Sequence, residues 1–97
     1  MPVTDAERPW FVYLLICKGN RLYAGISPDL AARLALHRAG KGARFTRAFP
    51  PLRLIAVQAH PSRSAASVAE ARLKKLRRPA KLLWAAHHSA VLAGFAL

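Results

Sequence analysis

The stretch "WFVYLLIC", residues 10–17, followed by "KGN" and then "RLYAGI", residues 21–26, constrains the fold of this chain more than any other. Eight consecutive apolar residues, rich in aromatic and β-branched side chains, describe a strand covered on both faces. Lys18-Gly19-Asn20 is turn chemistry, and the next segment alternates as a second strand, so the two form an antiparallel hairpin. The length of the turn decides where the two tyrosines go. A two-residue loop at Gly19-Asn20 sets residue 16 opposite 23 and sends Tyr13 and Tyr23 to opposite faces. A three-residue loop, 18–20, sets residue 15 opposite 23 and puts both on one face. Such a loop ends on a left-handed residue, which asparagine tolerates. The three-residue turn is predicted, since it alone builds a shared tyrosine surface.

The rest of the chain reads as two further alternations of helix and strand. Ser27 as N-cap, Pro28 in the first turn and Asp29 beside the helix dipole predict a helix to about Ala39, with Gly40 past its end and Leu30 and Leu34 buried. "KGARFTRAFPP", 41–51, is a basic loop, and "LRLIAVQAH", 52–60, is a third strand. Ser62 or Ser64 caps a helix over 65–76 with an apolar stripe of Ala66, Ala69, Leu73 and Leu76. Pro79 opens a last helix over 80–92. There is no repeat and no interdomain linker. Residues 1–9 read as an arm, 10–83 as one domain and 84–97 as an apolar helical extension. The order β-β-α-β-α-α predicts an α/β fold, a small, mostly antiparallel three-stranded sheet flanked by helices.

Charge narrows the function. Sixteen Lys and Arg against four Asp and Glu give a net charge of +12 on 97 residues. A folded domain this basic repels itself, and a polyanion is the natural partner, nucleic acid before an anionic membrane surface. The 54% hydrophobic content excludes a disordered chain. The lone Cys17 has no internal disulfide partner and packs as a small hydrophobe, which suits a reducing cytoplasm. "MPVTDAERPW" lacks the order of a signal peptide. The apolar C-terminal segment, broken by His87 and His88, is short of the roughly 20 residues of a membrane span. It reads as a buried helix or a contact with a protein partner, including a second copy of the chain.

Few residues are equipped for chemistry. Asp5 and Glu7 lie in the arm and Asp29 at a helix start, so Glu70 is the only acid in the last 68 residues. Its plainest role is a surface ion pair with Lys74, worth about 0.2–0.5 kcal/mol. Its functional role would be to hold a divalent cation, since magnesium takes one or two carboxylates with water and phosphate oxygens. Arg33 and His37 stand one turn apart on the first helix, at the border of its buried stripe. They are either a solvated arginine and a half-buried histidine, or a phosphate clamp beside a proton carrier. Tyr13 and Tyr23 are either core residues or part of the same site.

In their order these elements resemble the GIY-YIG endonuclease superfamily, in its small single-domain bacterial branch. "VYLLIC", "LYAGIS", "LAARLALHRAGKGARFTR" and "EARLKKL" stand where that branch has its motifs, over about residues 10–83. Val12-Tyr13 stands for Ile-Tyr, Ala24 for the middle residue of Tyr-Ile-Gly, and Phe45 for a frequent tyrosine. The asparagine that larger members place after the glutamate helix has no equivalent, and the stretch after Trp84 exceeds the usual end. The resemblance implies metal-dependent phosphodiester hydrolysis. Glu70 would hold one Mg²⁺ or Mn²⁺. Tyr13 would orient or deprotonate the attacking water, with Tyr23 in support. Arg33 would stabilise the phosphate and His37 would hydrogen-bond near the scissile group. A tyrosine base has an ordinary pKa of about 10, which the cationic surroundings, Arg33 above all, would have to lower. Gly25 would let backbone or nucleic acid approach closely, and Lys41, Arg44 and Arg47 would touch the nucleic-acid backbone.

The competing reading is a basic binding module without turnover. Charge supports both, but an acid at Glu70 weakens binding to a polyanion and has no use in a pure binder. A membrane-surface role for the C-terminal helix with Lys74, Lys75, Arg77, Arg78 and Lys81 is a third reading, and packing or a dimer contact explains the same residues. With no second domain to read a long site, recognition of strand state is expected: single-stranded or branched DNA, or RNA. Phe45 and Phe49 are candidates to stack bases, with core packing as the alternative for Phe49.

Overall fold

The computed structural model describes residues 8–90. Three strands, β1 (Trp10–Cys17), β2 (Arg21–Ser27) and β3 (Pro51–His60), form one antiparallel sheet in the order β2-β1-β3. The unbroken apolar run is therefore the central strand. Val12, Tyr13, Leu14, Leu15 and Cys17 are all fully buried, because helices cover both faces. On one face Tyr13, Leu15 and Cys17 pack with Leu30, Leu34, Leu54 and Val57. On the other, Val12, Leu14, Ala24 and Ala56 pack with Ala66, Leu73 and Ala85. The helices are α1 (Leu30–Arg38), α2 (Arg44–Ala48), α3 (Arg63–Lys75) and α4 (Arg78–His87). This is the expected order with one short addition, α2, inside the stretch expected to be an irregular basic loop.

The hairpin has the three-residue turn. Cys17 pairs with Arg21, Leu15 with Tyr23 and Tyr13 with Gly25, so both tyrosines share a face. Gly19 (φ 78°) and Asn20 (φ 59°) are both left-handed, which only residues of their type adopt cheaply.

Several boundaries differ from the sequence reading. α1 is capped by Asp29, whose Oδ1 accepts from the Ala32 N–H at 3.1 Å. Ser27 belongs to β2, where it pairs with Phe11, and its hydroxyl accepts from the Asp29 N–H and donates to the Asp29 carbonyl. Both are good caps; the sheet claims the serine. Of the two candidate caps of α3, Ser62 is used, accepting from the Ala65 N–H. Leu76 falls past the end of that helix and is exposed rather than part of its stripe.

α4 ends at His87, well before residue 92. The His88 N–H closes on the Trp84 and Ala85 carbonyls, and the chain then turns along β3. The Val57 N–H donates to the His88 carbonyl at 2.9 Å and the Ala90 N–H to the Ile55 carbonyl at 3.1 Å. Residues 88–90 thus cover the outer edge of β3, while among the described residues no strand pairs with the outer edge of β2. The proposed boundary at residue 84 falls within α4. Most of the arm and the last seven residues lie outside the described residues. Among the described residues no helix is long and apolar enough to cross a membrane.

Candidate active site

Tyr13 and His37 meet at the face of the sheet covered by α1. The Tyr13 hydroxyl lies 2.7 Å from His37 Nε2, and His37 Nδ1 lies 2.7 Å from Thr46 Oγ1 on α2. The directions of these bonds follow from their far end. Thr46 spends its single hydroxyl hydrogen on the Ala43 carbonyl at 3.0 Å, so it can only accept from His37. His37 therefore carries its proton on Nδ1, and its bare Nε2 accepts from the Tyr13 hydroxyl. All three side chains are buried, with at most 1% of their surface exposed, so His37 sits inside the core rather than at the border of the α1 stripe.

Two glycines make room for the rings. A Cβ on Gly25 would stand 2.5 Å from the Tyr13 hydroxyl oxygen, so the Tyr13 ring makes a close approach at this glycine. A Cβ on Gly42 would collide with His37 Nδ1.

Burial controls the protonation of the pair. It pushes His37 down to about 4, with the positive charge of Arg33 adding to the shift, so the imidazole is neutral at pH 7. It pushes Tyr13 up to about 12, helped by the proximity of Tyr23 and Glu70, while a hydrogen bond from Arg33 and its charge pull the other way. This corrects the expectation of a lowered tyrosine. Arg33 is next to the hydroxyl as expected, but loss of water around the phenol outweighs it.

The other candidates surround this pair. The Tyr23 ring packs edge-on against His37 at 5.3 Å and tilted against Tyr13 at 6.4 Å. On its other side it stacks on Phe45, at 5.6 Å and 24°. Phe45 thus braces Tyr23, and Phe49 packs against Phe45 with the Arg21 guanidinium 3.9 Å above its ring. Glu70, on α3, keeps about a fifth of its side chain exposed and faces Lys74 at 3.6 Å, the surface pair expected from the spacing. Its charge nevertheless reaches Tyr13. Lys41, Arg44 and Arg47 are exposed on the α1–α2 connection and on α2. No group of three His, Cys, Asp or Glu side chains converges among the described residues. A lone, part-exposed carboxylate fits a magnesium-type site that water and substrate phosphate complete, and does not fit a site closed by protein alone.

The match to known proteins agrees with this geometry. Residues 9–83 match the family model described as the GIY-YIG catalytic domain. The chain belongs to the GIY-YIG family. A UPF0213 protein of Xanthomonas axonopodis pv. citri is 49% identical over 80 residues, covering 82% of this chain and 78% of that protein. A UPF0213 protein of Streptococcus sanguinis is 46% identical over 78 residues, covering 80% and 90%. The solution NMR structure of a UPF0213 protein from Bacillus halodurans superposes with a TM-score of 0.52 at 37% identity, covering 80% of this chain and 83% of that one.

Sequence reading missed Gly42 and Thr46. Their signal lies in "GKGARFT": a small residue where the histidine ring must fit, then a hydroxyl nine residues after it. That pattern has meaning only once α2 is known to turn Thr46 back under α1.

Proposed function

We propose that this GIY-YIG protein is a metal-dependent DNA endonuclease that hydrolyses phosphodiester bonds in single-stranded or branched DNA in the cytoplasm. The observation that carries the reading is the directed chain from the Tyr13 hydroxyl through His37 to Thr46, with Arg33 against it. A hydroxyl that donates to a neutral histidine keeps lone-pair capacity to accept from a water that enters with the substrate. As that water attacks phosphorus and the bond to the leaving oxygen breaks, its proton passes to Tyr13 while the proton of Tyr13 moves to His37 Nε2. Such a concerted shift needs no free phenolate, which a hydroxyl raised to about 12 does not supply at neutral pH. Arg33 neutralises the charge on the phosphate, and that neutralisation offsets the smaller, Arg33 part of the depression of His37, whose larger cause is burial. Tyr23 lines the phosphate beside it. Glu70 would hold Mg²⁺ or Mn²⁺, which supplies charge stabilisation at the leaving oxygen. Lys41, Arg44 and Arg47 hold the strand by its backbone.

A binding module without turnover is the second reading, and the complete burial of Tyr13 favours it, since that side chain presents no surface to solvent. Cleavage of labelled single-stranded, duplex and forked DNA with Mg²⁺ or Mn²⁺ separates the two. Metal-dependent cutting by wild type, lost in Glu70→Ala with binding retained, is the expected result. Tight binding of every substrate with no cutting by either protein would overturn the nuclease reading.

A further inference from the structure

A cleft lies at the turn end of β2, beside Phe45. It measures about 370 Å³, within the range of small-ligand pockets. It is lined by the apolar side chains of Leu22 and Phe45, from opposite faces of the sheet at the edge of β2, by Arg21, Arg78 and Lys81, and by Asn20. No carboxylate lines it.

Two of the three cations are held in place. Asn20 Oδ1 accepts from Arg78 Nη2 at 3.0 Å, across 58 residues of chain. Arg21 is fixed on the Phe49 ring. Gathering three positive charges around apolar side chains is unfavourable for the free protein. No acidic side chain among the described residues lines the cleft to offset them, and the planar fork of each arginine matches a phosphate. The same Phe45 that braces Tyr23 lines the cleft, so the cleft and the candidate active site share a wall. Arg21 and Gly25 are separated by about 13 Å along β2, so a single strand of a few nucleotides spans from the cleft to the candidate active site.

We propose that this cleft is a nucleotide subsite. It receives the unstacked base of a neighbouring nucleotide against Leu22 and Phe45 and that nucleotide's phosphate between Arg78, Lys81 and Arg21. It therefore selects single-stranded nucleic acid, because a base paired in a duplex cannot enter. The proposal rests on nucleic acid being the substrate of the adjoining site, and not on turnover there.

The test is binding without cleavage. Fluorescence anisotropy of a labelled oligothymidylate and of a blunt duplex of equal length is followed in EDTA over a range of salt, for wild type, Arg78→Ala, Lys81→Ala and Lys75→Ala. Lys75, on α3 outside the cleft, controls for the bare loss of charge. Arg78→Ala and Lys81→Ala are expected to weaken single-strand binding about ten-fold, the size of one charge-assisted phosphate contact. Each is expected to flatten the salt dependence by about 0.7 in log–log slope. Duplex binding should change no more than it does in Lys75→Ala. Arg78→Lys, which keeps the charge without the fork to Asn20, and a thermal melt of each variant separate the subsite from loss of the turn. Equal, small losses on both probes in all three alanine variants would overturn the proposal, even if Glu70→Ala has shown the protein to be a nuclease. Selective loss of single-strand binding supports it, even if no substrate is ever cut.

Discussion

The candidate site has two halves built in opposite ways. Tyr13, His37 and Thr46 are sealed in the core, with each hydrogen committed to a partner. Glu70 lies in part-exposed surroundings, with a lysine at 3.6 Å that any cation could displace. The first half is rigid because folding makes it so: an unpartnered imidazole nitrogen there would cost about 1–3 kcal/mol. The second half costs the fold almost nothing. The contrast teaches that stability and function are coupled in one half and separable in the other, and that the separable half is where a functional claim can be tested cleanly.

The largest effect that can break this contrast comes from paired substitutions. Glu70→Gln should abolish metal-dependent cleavage while changing unfolding free energy by no more than about 0.5 kcal/mol. Tyr13→Phe should lower the cleavage rate by about 10²–10⁴-fold and also destabilise by about 1–3 kcal/mol, since His37 Nε2 loses its donor. Urea unfolding and initial cleavage rates on the same preparations read both. A Glu70→Gln variant as destabilised as Tyr13→Phe would show that the two halves are one structural unit.

Next in size is the dependence of stability on pH. His37 is neutral in the folded protein down to about 4 and in the unfolded chain only above its ordinary 6.5. The unfolded state therefore binds more protons between these values, so stability is full above pH 6.5 and falls as pH drops toward 4. The full shift corresponds to about 3 kcal/mol. Tyr13 gives the opposite edge: its contribution is full below pH 10 and is lost as pH rises toward 12. Urea midpoints from pH 4 to 8 should show the acid slope in wild type and a clearly shallower one in His37→Gln, where His88, also lowered by burial, still contributes. A slope undiminished by the substitution would place the titrating group elsewhere, outside the buried half.

The same contrast marks what could be read in the sequence. The shared tyrosine face followed from turn length, because Asn20 bears a left-handed backbone and a pleated strand alternates its side chains. Arg33 and His37 followed from the helical period, and Glu70 from being the last acid in the chain. These are local rules. Thr46 was not legible, because α2 is five residues long with no side-chain cap and shows no period. Nor was the direction of the Tyr13 shift: sequence counts charges, and +12 suggests a lowered phenol. Depth decides the sign, and depth is a property of the packed sheet. The cap of α1 was misplaced for a related reason, since Ser27 and Asp29 are equally good caps until the register of β2 claims one of them.

The smallest effect sharpens the contrast from the open side. Lys74 faces Glu70 at 3.6 Å with about half of its own side chain exposed. Exposed pairs at this spacing contribute about 0.3–0.5 kcal/mol, so Lys74→Ala should leave the melting temperature almost unmoved. The same lysine competes with a divalent cation for the carboxylate. Its removal should lower the Mg²⁺ concentration needed for half-maximal cleavage by a small factor, about two-fold, as expected for the loss of a contact worth a few tenths of a kcal/mol. Titrating Mg²⁺ against rate at fixed ionic strength measures this. A shift in the other direction would mean that Lys74 helps to hold the strand at the metal, and the ion pair would then belong to the working half of the site.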